Sequence, residues 1–176
     1  MNRFEKIIDE YFDWDFFWMP QSSKTDKVEQ KGRDFLANYP DLSKKIIVDL
    51  KSNFPDIKFS IFSPFPVEDR CICFEVNSSD QGIFVICISV FEYFLVWKLY
   101  DGDPYTAETY IESGASKLID NIYQIAIKPN INAEWLSKDE AFLEVRKLNY
   151  AEGPYKEEEE DFDTPIYLAN LLTRFR

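Results

Sequence analysis

Residues 83–100 form an almost unbroken apolar run, and this run constrains the fold more than any other part of the chain. Glu92 and Lys98 are its only charged residues, and a charge at the centre of a membrane helix costs about 2.5–3.5 kcal/mol. β-branched and aromatic residues dominate the run, as is typical of buried strands. We therefore predict two consecutive strands, 83–91 and 93–100, with a tight reversal at Glu92, in place of one membrane-spanning helix.

The residues before this run alternate with the two-residue period of β-strands. Residues 56–63 and 70–77 are predicted strands, and residues 105–112 are a candidate fifth strand. Because the connections are short, we expect an antiparallel meander and not a set of parallel crossovers. Strands that are apolar on both faces lie at the centre of a sheet, so we expect helices to cover both faces.

Helical periodicity of apolar residues appears on both sides of the predicted sheet. It predicts helices over residues 3–18, 26–38, 41–53, 115–127 and 138–148, and a last helix that Thr164 and Pro165 open and that runs to Phe175. Ser137 and Glu140 have the spacing of a capping box. Helices, then a sheet, then helices indicate the α+β class. We predict one α+β domain over residues 1–176, with a four- to five-stranded antiparallel sheet at about 56–112.

The chain contains no histidine, which excludes several kinds of catalytic site. Serine–histidine pairs, cysteine–histidine pairs, histidine general bases and histidine metal ligands are all ruled out. Only five glycines are present, which disfavours a glycine-rich phosphate-binding loop. We therefore assign no catalytic residue, no cofactor and no metal, and expect a protein that is not an enzyme.

Three cysteines, Cys71, Cys73 and Cys87, come closest to a metal motif, but a structural zinc site takes four ligands. On a strand, the sulfurs of Cys71 and Cys73 point to one face. If the loop between the strands spans 78–81, Cys87 lies opposite Ile72, on the other face, and a one-residue shift in register would bring all three together. Three small core residues with reduced thiols are the interpretation that we favour.

The net charge of −12 determines which partners the chain attracts. An acidic surface repels phosphate backbones and anionic membranes, so we expect neither nucleic-acid nor membrane binding, whereas a basic protein is attracted. The acidic stretch 149–163 is predicted to be a flexible, solvated loop. Its candidate partner-binding residues are Glu157, Glu158, Glu159, Glu160, Asp161 and Asp163.

Six aromatic side chains crowd residues 11–18, interleaved with acidic residues. A helix cannot bury all of them on one face. They form either a wide contact with the core or an exposed anchor of the kind that dominates protein interfaces. Trp14 and Trp18 are the candidate anchors.

These features lead to three hypotheses of function. The first is a cytoplasmic, non-catalytic module that binds and inhibits a basic protein, as toxin-immunity proteins and nuclease inhibitors do. We expect a cytoplasmic location because the N-terminal residues show no signal peptide. The second is a small-molecule binder or a carboxylate-based enzyme with an aromatic pocket between sheet and helices. The third is a structural subunit of a larger assembly. The identity of the partner and the oligomeric state stay open.

Overall fold

A five-stranded sheet is the central element of the protein, with strand order β1-β2-β3-β4-β5. The computed structural model describes residues 3–12, 23–63, 66, 70–100, 105–147 and 165–173. The strands of the sheet are β1 Lys58–Ser63, β2 Cys71–Ser78, β3 Gly82–Ser89, β4 Tyr93–Leu99 and β5 Glu134–Trp135. A separate antiparallel pair joins β6 Glu144–Lys147 to β7 Pro165–Tyr167. The predicted α+β class is confirmed.

Helices precede and follow the sheet. They are α1 Arg3–Tyr11, α2 Ser23–Asn38, α3 Leu42–Asn53, α4 Lys117–Ile122, α5 Lys138–Ala141 and α6 Leu168–Thr173. A π-helical turn, Tyr123–Ile127, continues α4. The helices predicted over 26–38, 41–53 and 115–127 are confirmed with small shifts at their ends. The helix predicted over 3–18 is confirmed as far as Tyr11, and its part from residue 13 onward lies outside the described residues.

The first four strands form the predicted antiparallel meander. Glycine shapes the hairpin between β2 and β3, because Gly82 has a φ of 90° and pairs with Ser78 across a three-residue loop. The reversal between β3 and β4 occurs at Glu92, which has a φ of 63° and whose amide donates to the Ser89 carbonyl at 2.9 Å. The apolar run is therefore two strands, as predicted, and no helix in the described part of the chain is long and apolar enough to span a membrane.

The fifth strand of the sheet differs from the prediction. Residues 105–112 supply only a bridge between Tyr110 and Trp97 on the outer side of β4. The fifth position belongs to β5, which runs parallel to β4 and pairs Glu134 with Tyr93. A parallel neighbour requires a long crossover, and here α4 and its π-helical turn provide it.

Two apolar clusters cover the two faces of the sheet, as its buried central strands predict. The first face holds the three cysteines, Leu95 and Trp97, and packs against α1, α5 and α6. The second face is aliphatic and aromatic, and α3, α4 and the π-helical turn cover it. The helix α2 contacts both faces, through Val28 on the first and Phe35 on the second.

The end of the chain departs most from the prediction. The predicted helix over 138–148 is wrong: its capping box is present, but α5 ends after one turn at Ala141 and the backbone becomes β6. Pro165 does not open a helix either, because it belongs to β7, which pairs with β6, and α6 begins at Leu168. Pairing between two distant segments overrides the local helical pattern of each.

Candidate functional site

The three cysteines converge at one point in the interior. The Sγ atoms of Cys71 and Cys73 are 3.4 Å apart, and those of Cys73 and Cys87 are 2.8 Å apart. None of the three forms a disulfide bond in the described part of the chain, and all three side chains are completely buried. We define these three residues as the thiol cluster.

Strand register creates the thiol cluster. The residue opposite Cys87 is Cys73. The prediction placed Ile72 there, so the predicted register is wrong by one residue. The cause is the hairpin loop, which spans residues 79–81 and not 78–81 because Gly82 closes it. A shift of one residue moves every side chain to the other face, and here it places all three sulfurs together.

Hydrogen bonding along the strands explains the short distance across the pair. Arg70 and Val90 lie opposite each other in the register that pairs Cys73 with Cys87, and the Val90 amide donates to the Arg70 carbonyl at 2.9 Å. Hydrogen-bonded and non-hydrogen-bonded pairs alternate in an antiparallel ladder, so Cys73 and Cys87 form a non-hydrogen-bonded pair. Side chains approach most closely in such pairs.

The surroundings of the thiol cluster favour protonated sulfur. The thiol of Cys71 donates to the carbonyl of Thr173 at 3.5 Å, in the last turn of α6. Burial raises the pKa of the Cys87 thiol well above its ordinary value, and the neighbouring thiols of Cys71 and Cys73 raise it further. A protonated thiol is a weak nucleophile, and this environment therefore disfavours a reactive thiolate at Cys87.

Tyr105 packs against the apolar cluster that contains the three cysteines. Its ring lies edge-on against Trp97, with 5.5 Å between centroids, and its side chain is only partly buried. Burial raises the pKa of Tyr105 to about 12, and the three cysteines contribute to this shift. Trp97 Nε1 is buried and has no hydrogen-bond partner among the described residues.

A second feature, an acidic patch, surrounds the start of α5. The Lys138 amide donates to the Glu112 carboxylate at 2.9 Å, and the Ser137 amide donates to Glu140 at 3.1 Å. Asp139 follows Lys138 and is exposed. Hydrogen bonds from the backbone amide of Glu108 and from the Thr106 side chain lower the pKa of Glu108, and the charge of Lys138 lowers it further. The acidic patch comprises Glu108, Glu112, Asp139 and Glu140.

The acidic patch has a buried aromatic floor. Tyr110 lies beneath it and donates from its hydroxyl to the Leu136 carbonyl at 2.8 Å. Burial raises the pKa of Tyr110, and the charges of Glu112 and Glu140 raise it further. The patch is thus anchored to a rigid part of the sheet. No sequence motif marks it, because its members come from two segments and only the capping-box spacing of Ser137 and Glu140 hints at their position.

The residues predicted to bind a partner lie outside the described parts of the chain. This applies to Trp14 and Trp18 and to the acidic residues Glu157, Glu158, Glu159, Glu160, Asp161 and Asp163. Their roles stay predictions. Residues 149–163, predicted to be a flexible loop, lie outside the described residues as well.

Two depressions on the described surface are open to solvent. One depression of about 290 Å³ is lined by Lys44, Lys45, Val48, Asp49 and Asn130. Another, of about 300 Å³, lies between the end of α3 and the loop 79–81. Where the second hypothesis places an aromatic pocket, Phe94 packs on Tyr123 and Trp135 with 4.9 Å between centroids in each pair. Among the described residues no charged side chain is buried.

Comparison of the chain with protein-family models, with curated proteins and with solved structures gives no match in any of the three. The geometry of the chain's own residues is therefore the basis for any functional proposal.

Proposed function

We propose that this protein binds a basic protein partner through acidic surface residues and acts by occupying that partner, as an inhibitor or a toxin-immunity protein does. The acidic patch is the observation that carries this proposal. It gathers four acidic residues around the start of α5, and Tyr110, which forms a β-bridge with Trp97, joins this surface to the sheet. Glu112 and Glu140 accept hydrogen bonds from the backbone amides of Lys138 and Ser137, so less side-chain entropy is lost when these two carboxylates contact a partner.

Overall charge supports the same proposal. The net charge is −12, and the run from Glu157 to Asp161 adds five adjacent carboxylates in the same part of the sequence as α5. Complementary charge speeds association and sets orientation. Asp163 is a further charged contact in the proposal, and Trp14 and Trp18 are its aromatic anchors.

Quantitative capture from a native lysate tests the proposal, with two charge variants compared against wild type. The patch variant carries Glu108→Gln, Glu112→Gln and Asp139→Asn. The matched control carries Asp9→Asn, Asp26→Asn and Asp56→Asn, which remove the same charge from exposed positions in other segments. Glutamine keeps an acceptor oxygen for the Lys138 amide, so the fold around α5 is preserved.

The expected result is a basic protein that wild type and the control variant retain at low salt and that the patch variant loses. High salt should weaken retention, because screening reduces charge attraction. Equal losses in both variants would show that only net charge matters and would refute an oriented site. If wild type and both variants retain the same partner at low and at high salt, the interface does not include the acidic patch. Neutralising Glu157–Asp161 would then test the second acidic element.

A further inference from the structure

We propose that the thiol cluster is a binding site for a soft, three-coordinate ion of charge +3, of the class represented by arsenic(III). Sulfurs of Cys71, Cys73 and Cys87 are its three donors, and all three lie within 4.8 Å of one another. This site is independent of the proposed partner binding, which uses exposed carboxylates.

Donor number limits the ions that the cluster accepts. Structural zinc takes four ligands, and the thiol cluster offers three sulfurs in a chain without histidine. Soft thiolate donors select soft ions over magnesium or calcium. The ion must therefore be thiophilic and satisfied by three bonds.

Spacing between the sulfurs favours pyramidal coordination. Sulfurs bonded at about 2.3 Å lie about 3.8 Å apart around a tetrahedral ion and about 3.3 Å apart when the bonds meet at roughly right angles. The observed Cys71–Cys73 separation is 3.4 Å, and the Cys73–Cys87 separation of 2.8 Å is shorter still. A pyramidal ion that sits above three sulfurs on one sheet face requires the smallest movement of the strands.

Charge in the buried site decides between ions. Three thiolates with zinc leave one negative charge, and three with copper(I) leave two, in a core where an unpaired charge is costly. Three thiolates with a trivalent ion form a neutral complex. Arsenous acid also enters uncharged and condenses with three neutral thiols, so that three As–S bonds form, three As–O bonds break and the thiol protons leave in three waters. No oxidation or reduction takes place.

The access route that we infer lies on the side of Tyr105. That residue is partly buried and packs against the apolar cluster that contains the three cysteines. The other visible wall is α6, whose Leu172 and Thr173 carbonyls accept from Ser89 and Cys71. Movement of one tyrosine side chain opens a shorter path than displacement of a helix.

Titration of the reduced, full-length protein with arsenite in oxygen-free buffer tests the site. We expect one arsenic per chain after gel filtration, a new ultraviolet sulfur-to-arsenic absorption, and a rise in Tm, because a ligand that binds only the folded state stabilises it. Zinc under the same conditions should give weaker retention. Each of Cys71→Ala, Cys73→Ala and Cys87→Ala should weaken binding by roughly a hundredfold, since each lost sulfur removes an intramolecular bond.

Ser89→Ala is the matched control, because Ser89 is buried beside Cys71 on the same face and has no sulfur; it should bind as wild type does. Circular dichroism checks that each variant is folded. If a cysteine variant does not fold, the wild type is tested alone in denaturant, where the buried thiols become accessible: all three should resist alkylation when arsenic is bound and react when it is absent. Failure of the folded protein to retain arsenic, unchanged retention in folded cysteine variants, or a fall in Tm would each overturn the proposal.

Discussion

The Tyr39 hydroxyl donates a 2.7 Å hydrogen bond to the Glu92 carboxylate, which joins the end of α2 to the turn between β3 and β4. The two residues are 53 positions apart, so this contact holds a helix against one end of the sheet. Glu92 also adopts a left-handed backbone conformation, with a φ of 63°, which is unfavourable for a residue other than glycine. The bond from Tyr39 helps to offset that cost.

Replacement of Tyr39 by phenylalanine should therefore lower the free energy of unfolding by about 1 kcal/mol, since a partly solvated bond to a charged group is lost while the ring is kept. Urea unfolding monitored by fluorescence measures the change. Tyr100→Phe is the control, because Tyr100 is 59% exposed. An effect of the same size in both variants would mean that the contact with Glu92 contributes nothing.

Alkaline pH should destabilise the protein through its buried tyrosines. The pKa of Tyr105 rises from 10.0 to about 12 in the folded state, chiefly because of burial. A folded-state pKa above the unfolded-state value contributes stability that is fully present below the unfolded value and is lost as pH rises through the folded one. The free energy of unfolding should therefore fall between pH 10 and about 12.

Unfolding at a series of pH values across this window gives the slope. Tyr105→Phe should make the free energy of unfolding depend less steeply on pH. Tyr110 should account for part of the remaining pH dependence, because burial raises the pKa of that residue too. A Tyr105→Phe slope equal to that of wild type would contradict the prediction.

Gly114 precedes α4 and has a φ of 86°. A Cβ atom at this position would meet no other atom within 4 Å, so substitution causes backbone strain without a steric clash. Gly114→Ala should lower the free energy of unfolding by about 1–2 kcal/mol. Gly114→Asn should cost less, because asparagine tolerates the left-handed region. Thermal and urea unfolding measure both; equal losses would show that the strain argument is wrong.

Association kinetics should reveal the role of the acidic patch once a partner has been captured. The patch variant described above should lower the association rate by about tenfold at low salt and by less at high salt, with a smaller change in the dissociation rate. Surface plasmon resonance at several salt concentrations measures both rates. The Asp9, Asp26 and Asp56 control should affect association less. A change confined to the dissociation rate would indicate a desolvated contact in place of steering.

Much of the fold was predictable because its signals are local and long. The helix α3 and strands β2 to β4 carry several turns or alternations of apolar residues, and their neighbours in sequence are also their neighbours in space. The register of the thiol cluster was not predictable from alternation alone. It depends on one residue of loop length, which the positive φ of Gly82 decides.

The end of the chain illustrates the opposite case. Residues 138–148 have helical spacing and a capping box, yet Glu144 pairs with Tyr167 in a strand. Such pairing is non-local, and no sequence feature within either segment predicts it. The acidic patch was missed for the same reason, because Glu112 and Lys138 are 26 residues apart in sequence and meet only in the folded chain.

The edges of the sheet have a consequence for behaviour at high concentration. The outer side of β4 is occupied by β5 and by residues 109–111, so in the described part of the chain the sheet ends at β1 on one side and at these short segments on the other. The ladder of β1 is interrupted between Ile61 and Ser63, and Lys58 is exposed at its start. An irregular, lysine-bearing edge is a poor template for a further strand. Chains crowded together therefore meet an obstacle to amyloid-like stacking at β1, the longer of the two edge strands.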